Sequence, residues 1–147
     1  MTIAIEQLSL PELKSFLREQ AQDAFPLLRD EDKLNVLAEK WQSHAEFCTC
    51  RLDNRLVGMI AFYANDSETR LAYIPHVYVS SQNRREGLFS KMLDIVEGYM
   101  RHRGFSQIRL EVGKDNICAQ SAYSKNGFVY EKSASDKTDF MRKALIR

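Results

Sequence analysis

The chain has 147 residues with 44% hydrophobic and 28% charged side chains, which suits one globular domain near the common ~100–150 residues. No window approaches the ~18 consecutive apolar residues of a membrane span, and the opening Met1–Glu6 has neither the charged start nor the apolar core of a signal peptide. The net charge of +1 excludes a uniformly basic nucleic-acid surface, so a single cytoplasmic domain over residues 1–147 is expected.

Thr2–Gln7 reads as a short strand. Ser9 followed by Glu12 is a capping-box signature, with Leu13, Phe16, Leu17 and Ala24 spaced along the face of the helix that follows. A second helix fits Glu31–Gln42, where Leu34, Leu37, Ala38 and Trp41 form an apolar stripe. Strands at Ala45–Leu52 and Leu56–Ala64 flank the polar turn Asp53-Asn54-Arg55 and predict a hairpin. After Asn65-Asp66-Ser67 a third strand runs over Arg70–Val79. Pro75 inside it predicts an irregularity, because proline cannot donate to a ladder. Leu88–Arg103 is a helix by the spacing of Leu88, Met92, Val96, Tyr99 and Met100, and Gly104 stops it. Gln107–Val112 alternates as a strand, Asn116–Asn126 is a helix closed by Gly127, and Phe128–Lys132 and Thr138–Leu145 are the last strands. The order β-α-α-β-β-β-α-β-α-β-β is that of a mixed α/β domain.

The charge is unevenly placed. Residues 1–83 carry eight Lys/Arg against twelve Asp/Glu, whereas residues 84–147 carry thirteen against eight. A basic half in a neutral chain suits a local anionic ligand. Cys48, Cys50 and Cys118 cannot all pair, and Cys48 and Cys50 share one face of a strand, so reduced structural thiols are expected. His44, His76 and His102 form no metal-ligand spacing, and no metal is expected.

The stretch Val77-Tyr78-Val79-Ser80-Ser81-Gln82-Asn83-Arg84-Arg85-Glu86-Gly87-Leu88-Phe89-Ser90 runs from a strand through a polar loop into a helix. The first-turn amides of a helix lack internal partners and sit at the positive end of its dipole. With Arg84 and Arg85 beside them and Gly87 permitting close approach, they suit a phosphate or pyrophosphate; a solvated basic loop is the alternative. The spacing is neither that of a P-loop nor that of a Rossmann fingerprint.

Val79-x-x-x-x-Arg84-x-x-Gly87, opening a helix, resembles motif A of the GNAT superfamily of N-acetyltransferases, whose loop [RQ]-x-x-G-x-[GA] binds the pyrophosphate of acetyl-coenzyme A. Asn116-x-x-Ala119-x-x-Ala122-Tyr123-x-x-x-Gly127-Phe128 resembles its motif B, and Phe140–Leu145 is similar to a closing strand common in the family. Phe89 departs from the pattern, standing where the family prefers Gly or Ala. The resemblance implies an α/β (α+β) fold: a mixed, mostly antiparallel sheet of seven strands flanked by four helices, with a splayed parallel pair in the centre.

It further implies that main-chain groups of Val77, Tyr78 and Val79 bond the pantetheine arm in a β-augmentation-like mode. Amides of Arg84, Arg85, Glu86, Gly87, Leu88, Phe89 and Ser90 would receive the pyrophosphate, with the Arg84 and Arg85 side chains as charge partners. Tyr123 matches the family's general acid; Asn116 would contact the cofactor or a water, and Ala119 would allow close approach. The base stays open. Glu111, near the end of its strand and twelve residues before Tyr123, is one candidate, with burial expected to raise its pKa. His76, Tyr78 and a water are others. Cys118 has no evident activating base nearby in the sequence. The expected activity is direct transfer of acetyl from acetyl-CoA, as co-substrate, to the primary amine of a small molecule or peptide, with no nucleic-acid or membrane partner and a homodimer left open. A domain that binds acyl-CoA without turnover is the alternative.

Overall fold

The structure, a computed structural model, describes residues 1–145; Ile146 and Arg147, the last two of the expected domain, lie outside the described residues. In chain order the elements are β1 (Thr2–Glu6), α1 (Leu10–Asp23), α2 (Glu31–His44), β2 (Glu46–Leu52), β3 (Arg55–Tyr63), β4 (Leu71–Val79), α3 (Leu88–His102), β5 (Gln107–Gly113), α4 (Ile117–Lys125), β6 (Val129–Ser133) and β7 (Thr138–Ala144). Two short 3₁₀ turns, Pro26–Arg29 and Ser81–Asn83, are additional to the expected order. The strands form a seven-stranded sheet in the order β1-β2-β3-β4-β5-β7-β6. β4 and β5 are parallel, while β1–β2, β2–β3, β5–β7 and β6–β7 are antiparallel. This is the expected fold class.

Contacts group the residues into two compact units, the first from Met1–Phe62 and His76–Val96, the second from Tyr63–Pro75 and Glu97 onward. In the first unit, Ser9 caps α1 by accepting from the Glu12 amide at 3.3 Å, and Asp30 caps α2 through the amides of Asp32 and Lys33. Capping satisfies amides that a helix start cannot pair internally. The apolar face of α1 is Leu13, Phe16, Leu17 and Ala21. Ala24, expected on that face, is exposed at the helix C-cap, where the chain is already leaving helical geometry. The β2–β3 turn is tighter than expected: Leu52 pairs with Arg55, so Arg55 belongs to β3. Asp53 and Asn54 alone make the turn, at φ 52° and 67°, the geometry that matches strand twist in a two-residue hairpin.

In the second unit the parallel ladder joins Leu71–Ile74 to Gln107–Leu110. Its last β4 member immediately precedes Pro75, which has no N–H to extend it. The irregularity expected at Pro75 is therefore an end to parallel pairing rather than a break in the strand, whose exposure keeps alternating to Val79. Ile108, Leu110, Phe128 and Met141 are buried in this unit. Gly104, at φ 87°, stops α3 as predicted.

Because Asn54 sits at a left-handed φ of 67°, Asn54→Gly should raise unfolding free energy by roughly 0.5 kcal/mol in urea titrations, glycine carrying no Cβ penalty there. A drop of comparable size would show that the Asn54 side chain, not its backbone, sets the turn.

Candidate active site

In the first unit, β4 delivers alternate side chains inward. Tyr78 is buried, with its ring edge-on to Phe16 at 5.6 Å, while Val77 and Val79 are half-buried. The Tyr78 hydroxyl donates to Asp23 Oδ2 at 2.6 Å. Burial and then the Asp23 carboxylate push this phenol up to about 12, so it remains protonated as a donor.

Beyond the Ser81–Asn83 turn, Arg84 is extended, Arg85 has a φ of 67° and Gly87 one of 75°. The Gly87 carbonyl accepts from the Lys91 amide at 3.1 Å and so begins α3. A Cβ at Gly87 would meet nothing within 4 Å, so the left-handed φ, not space, calls for glycine. Glu86 is exposed and accepts from Asn83 Nδ2 at 3.4 Å. Leu88 is buried; Phe89 and Ser90, also within α3, are half-buried. Phe89 is thus already helical, the circumstance in which its bulk can turn toward the core while its amide keeps the helical direction.

The two arginines are treated differently. Arg84 Nε donates to the Val79 carbonyl at 2.9 Å and its Nη2 to Asp23 Oδ2 at 2.6 Å, with the guanidinium 5.6 Å from the Tyr78 ring centre. It braces the loop against β4 and α1. Arg85 is exposed.

His76 lies between Phe25 and Trp41, at ring-centre distances of 4.6 and 4.9 Å. Its Nε2 is 2.5 Å from Gln20 Oε1, and Gln20 Nε2 donates to Met59 Sδ at 3.4 Å. Burial pushes the imidazole down to about 4, leaving a neutral, enclosed ring that reads as core. Cys48 is buried and its thiol is pushed up to about 12 by burial first, then by Cys50 and Glu6, so it is an inert thiol.

In the second unit, Asn116 caps α4 by accepting from the Ala119 amide at 3.2 Å, and Ala119 is half-buried. Tyr123 is half-buried and lies edge-on to Phe128 at 6.0 Å. Burial pushes its phenol up to about 12. Cys118 is exposed. Glu111 is exposed too, without the burial expected of it, and accepts from Thr138 Oγ1 at 2.7 Å. It lines a cavity of about 390 Å³ together with Tyr63, Asp66, Tyr73, Arg109 and Phe140. Arg109 is held bidentately by Glu131, at 3.0 and 2.7 Å, and lies 4.6 Å from the Phe140 ring centre. The paired arginine, above all, holds the Glu131 carboxyl below its ordinary range.

The sequence did not reveal Asp23, which carries no local signal, or the cavity residues other than Glu111. Arg109 was within reach, since it is two before Glu111 and shares its strand face. Among the described residues no helix is long and apolar enough to cross a membrane, and no group of three or more His, Cys, Asp or Glu is placed to hold a metal ion.

The chain matches the sequence model of the Acetyltransferase (GNAT) family over residues 10–128, a span that runs through both units, and it belongs to that family. It is similar to N-acetyltransferase 8 of Homo sapiens, 26% identical over 85 residues, 56% of this chain and 37% of that one. It is also similar to streptothricin acetyltransferase of Escherichia coli, 32% identical over 77 residues, 52% of this chain and 43% of that one. The match therefore spans less than half the length of either relative. In fold it is similar to the paia N-acetyltransferase of Thermoplasma acidophilum solved in complex with coenzyme A. That structure has a TM-score of 0.76 and 22% identity, with 98% of this chain and 99% of that chain covered.

Two outcomes follow from the first unit. Arg84→Ala should lower stability by about 1 kcal/mol in denaturant titrations, since the pair with Asp23 is partly exposed. Arg84→Lys should not restore it, because an ammonium lacks the fork that reaches both Val79 and Asp23. His76 takes up a proton near 6.5 when unfolded but near 4 when folded. Its stability contribution is full above pH 6.5 and lost as pH falls toward 4, by about 3 kcal/mol at ~1.4 kcal/mol per unit. Urea unfolding of wild type and His76→Gln across that window checks it: the slope should be smaller in the variant.

Proposed function

We propose that this chain is an acyltransferase that moves the acetyl group of acetyl-CoA to a primary amine by direct attack, its residues acting as one domain. The observation that carries the reading is the strand–loop–helix junction Val79–Ser90, with Gly87 left-handed at the start of α3, in a chain of the GNAT family. Amides from Arg84 to Ser90 would receive the pyrophosphate, with Arg85 as the exposed charge partner and Arg84 acting through the loop it braces. Val77, Tyr78 and Val79 would bond the pantetheine through their main chain, and Asn116 and Ala119 would border the cofactor.

The amine must lose its proton before its lone pair attacks the thioester carbon. As the adduct collapses, its nitrogen gives up a second proton, the amide forms, the C–S bond breaks, and the thiolate sulfur takes up a proton. Tyr123 is the donor in this reading. Its phenol, near 12, is protonated at any working pH. An ordinary thiol titrates near ~8.5, so the phenol shares its proton with the developing thiolate rather than surrendering it early. Glu111, exposed at the cavity, takes the amine proton directly or through water. His76, enclosed and titrating near 4, is disfavoured as the base. Phe89 supports the second reading, an acyl-CoA-binding domain without turnover, since it stands where the family prefers a small residue.

Mass spectrometry of a mixed amine panel incubated with acetyl-CoA should reveal acetylated product. Thermal stabilisation by CoA with no product from any amine would favour the second reading. Tyr123→Phe should lower turnover at least tenfold with acetyl-CoA binding little changed, and the rate should show no alkaline limb from Tyr123 below about pH 12. Unchanged turnover would remove Tyr123 as the acid.

A further inference from the structure

We propose that the cavity of the second unit binds the acceptor as an ammonium ion carried on an aromatic body. This rests on the acetyltransferase reading and gives its substrate class. The cavity measures about 390 Å³, within the range of small-molecule sites. Its walls combine three aromatic rings, Tyr63, Tyr73 and Phe140, with the carboxylates of Asp66 and Glu111. Aromatic faces attract both an aryl group and a cation.

The charge balance favours a cation. Hydrogen bonds from Thr69 hold the Asp66 carboxyl below its ordinary range, so it is ionised near neutrality. Arg109 is the cavity's cation, but Glu131 holds it bidentately and Phe140 lies against it. Its charge is offset, and its Nε/Nη2 fork is occupied by Glu131. Glu111 keeps an oxygen beyond the one that Thr138 engages at 2.7 Å, so an ammonium bound here stands beside the candidate base.

One wall residue also carries an unpaired polar atom. The Tyr63 hydroxyl oxygen is buried and has no hydrogen-bond partner among the described residues, although buried polar atoms are nearly always paired. Its residue lines the cavity. An oxygen so enclosed is closed to a ligand as it is to water, so the contribution of Tyr63 to the cavity wall is its ring.

The test is direct binding to the intact protein without acetyl-CoA, followed by calorimetry or NMR at pH 7. The probes are 2-phenylethylamine and 3-phenylpropionate. The amine should bind saturably and at least tenfold more tightly than the carboxylate. Glu111→Gln and Asp66→Asn should each reduce that preference at least threefold. Tyr63→Leu, which removes the aromatic face, should weaken 2-phenylethylamine at least threefold. Equal binding of amine and carboxylate, or no binding of the amine, would overturn the proposal. Acetylation of other amines alongside such a failure would leave the acetyltransferase reading intact. Binding of the aryl amine with no acetylation of any amine would support the cavity assignment while removing that reading.

Discussion

One oxygen of Asp23 fixes the geometry of the first unit's candidate site. Oδ2 accepts from the Tyr78 hydroxyl and from Arg84 Nη2, both at 2.6 Å, joining the end of α1, the end of β4 and the loop that opens α3. Arg84 returns to the strand through the Val79 carbonyl. The loop therefore enters α3 with its direction set by side chains that are already satisfied. Such bracing limits the ordering that ligand binding at the loop would require. Charge-assisted bonds are stronger than neutral ones, and the partial burial of Tyr78 and Asp23 protects this pair more than a fully solvated contact would be.

The second unit relies on another shared carboxylate. Glu131 accepts from Arg109 at 2.7 and 3.0 Å, and Arg142 Nη2 lies 3.1 Å from the same group. Strands β5, β6 and β7 are tied side chain to side chain as well as through their ladders. The consequence reaches the cavity. With Nε and Nη2 committed to Glu131, Arg109 lies over the Phe140 ring. A neighbouring carboxylate thus offsets the charge of a cationic wall.

Elements with strong periodicity or caps were legible in the sequence: Ser9 caps α1, Gly104 stops α3, and β2–β3 is a hairpin. Errors cluster where tertiary context overrides local pattern. Ala24 has helical spacing but falls after the last turn, because the chain must bend into the Pro26–Arg29 turn. Arg84 and Arg85 look equivalent as neighbours, and only the fold separates them, since Asp23 is distant in sequence. Glu111 shows the same limit. Its place near a strand end was readable, but its exposure depends on what covers that face of the sheet. The residues most clearly read were those whose role is local, Gly87 at its left-handed φ and Asn116 as a helix cap, whereas long-range side-chain roles needed partners that no spacing reveals.

The basic half of the sequence takes a different meaning from this. Of the thirteen Lys and Arg in residues 84–147, Arg84, Arg101, Arg109, Lys114, Arg142 and Lys143 lie within 4.0 Å of a carboxylate. The Lys143 pair reaches the buried Glu97 at 2.7 Å, and Arg101 lies 3.6 Å from the same carboxylate. Much of the excess is therefore structural, matched locally to acids rather than displayed to an anion. What distinguishes the loop is not its share of positive charge but its backbone. Arg85 and Gly87 are both left-handed within three residues. That backbone, leading into the start of α3 and braced through Asp23, sets the loop apart more than the arginine pair does.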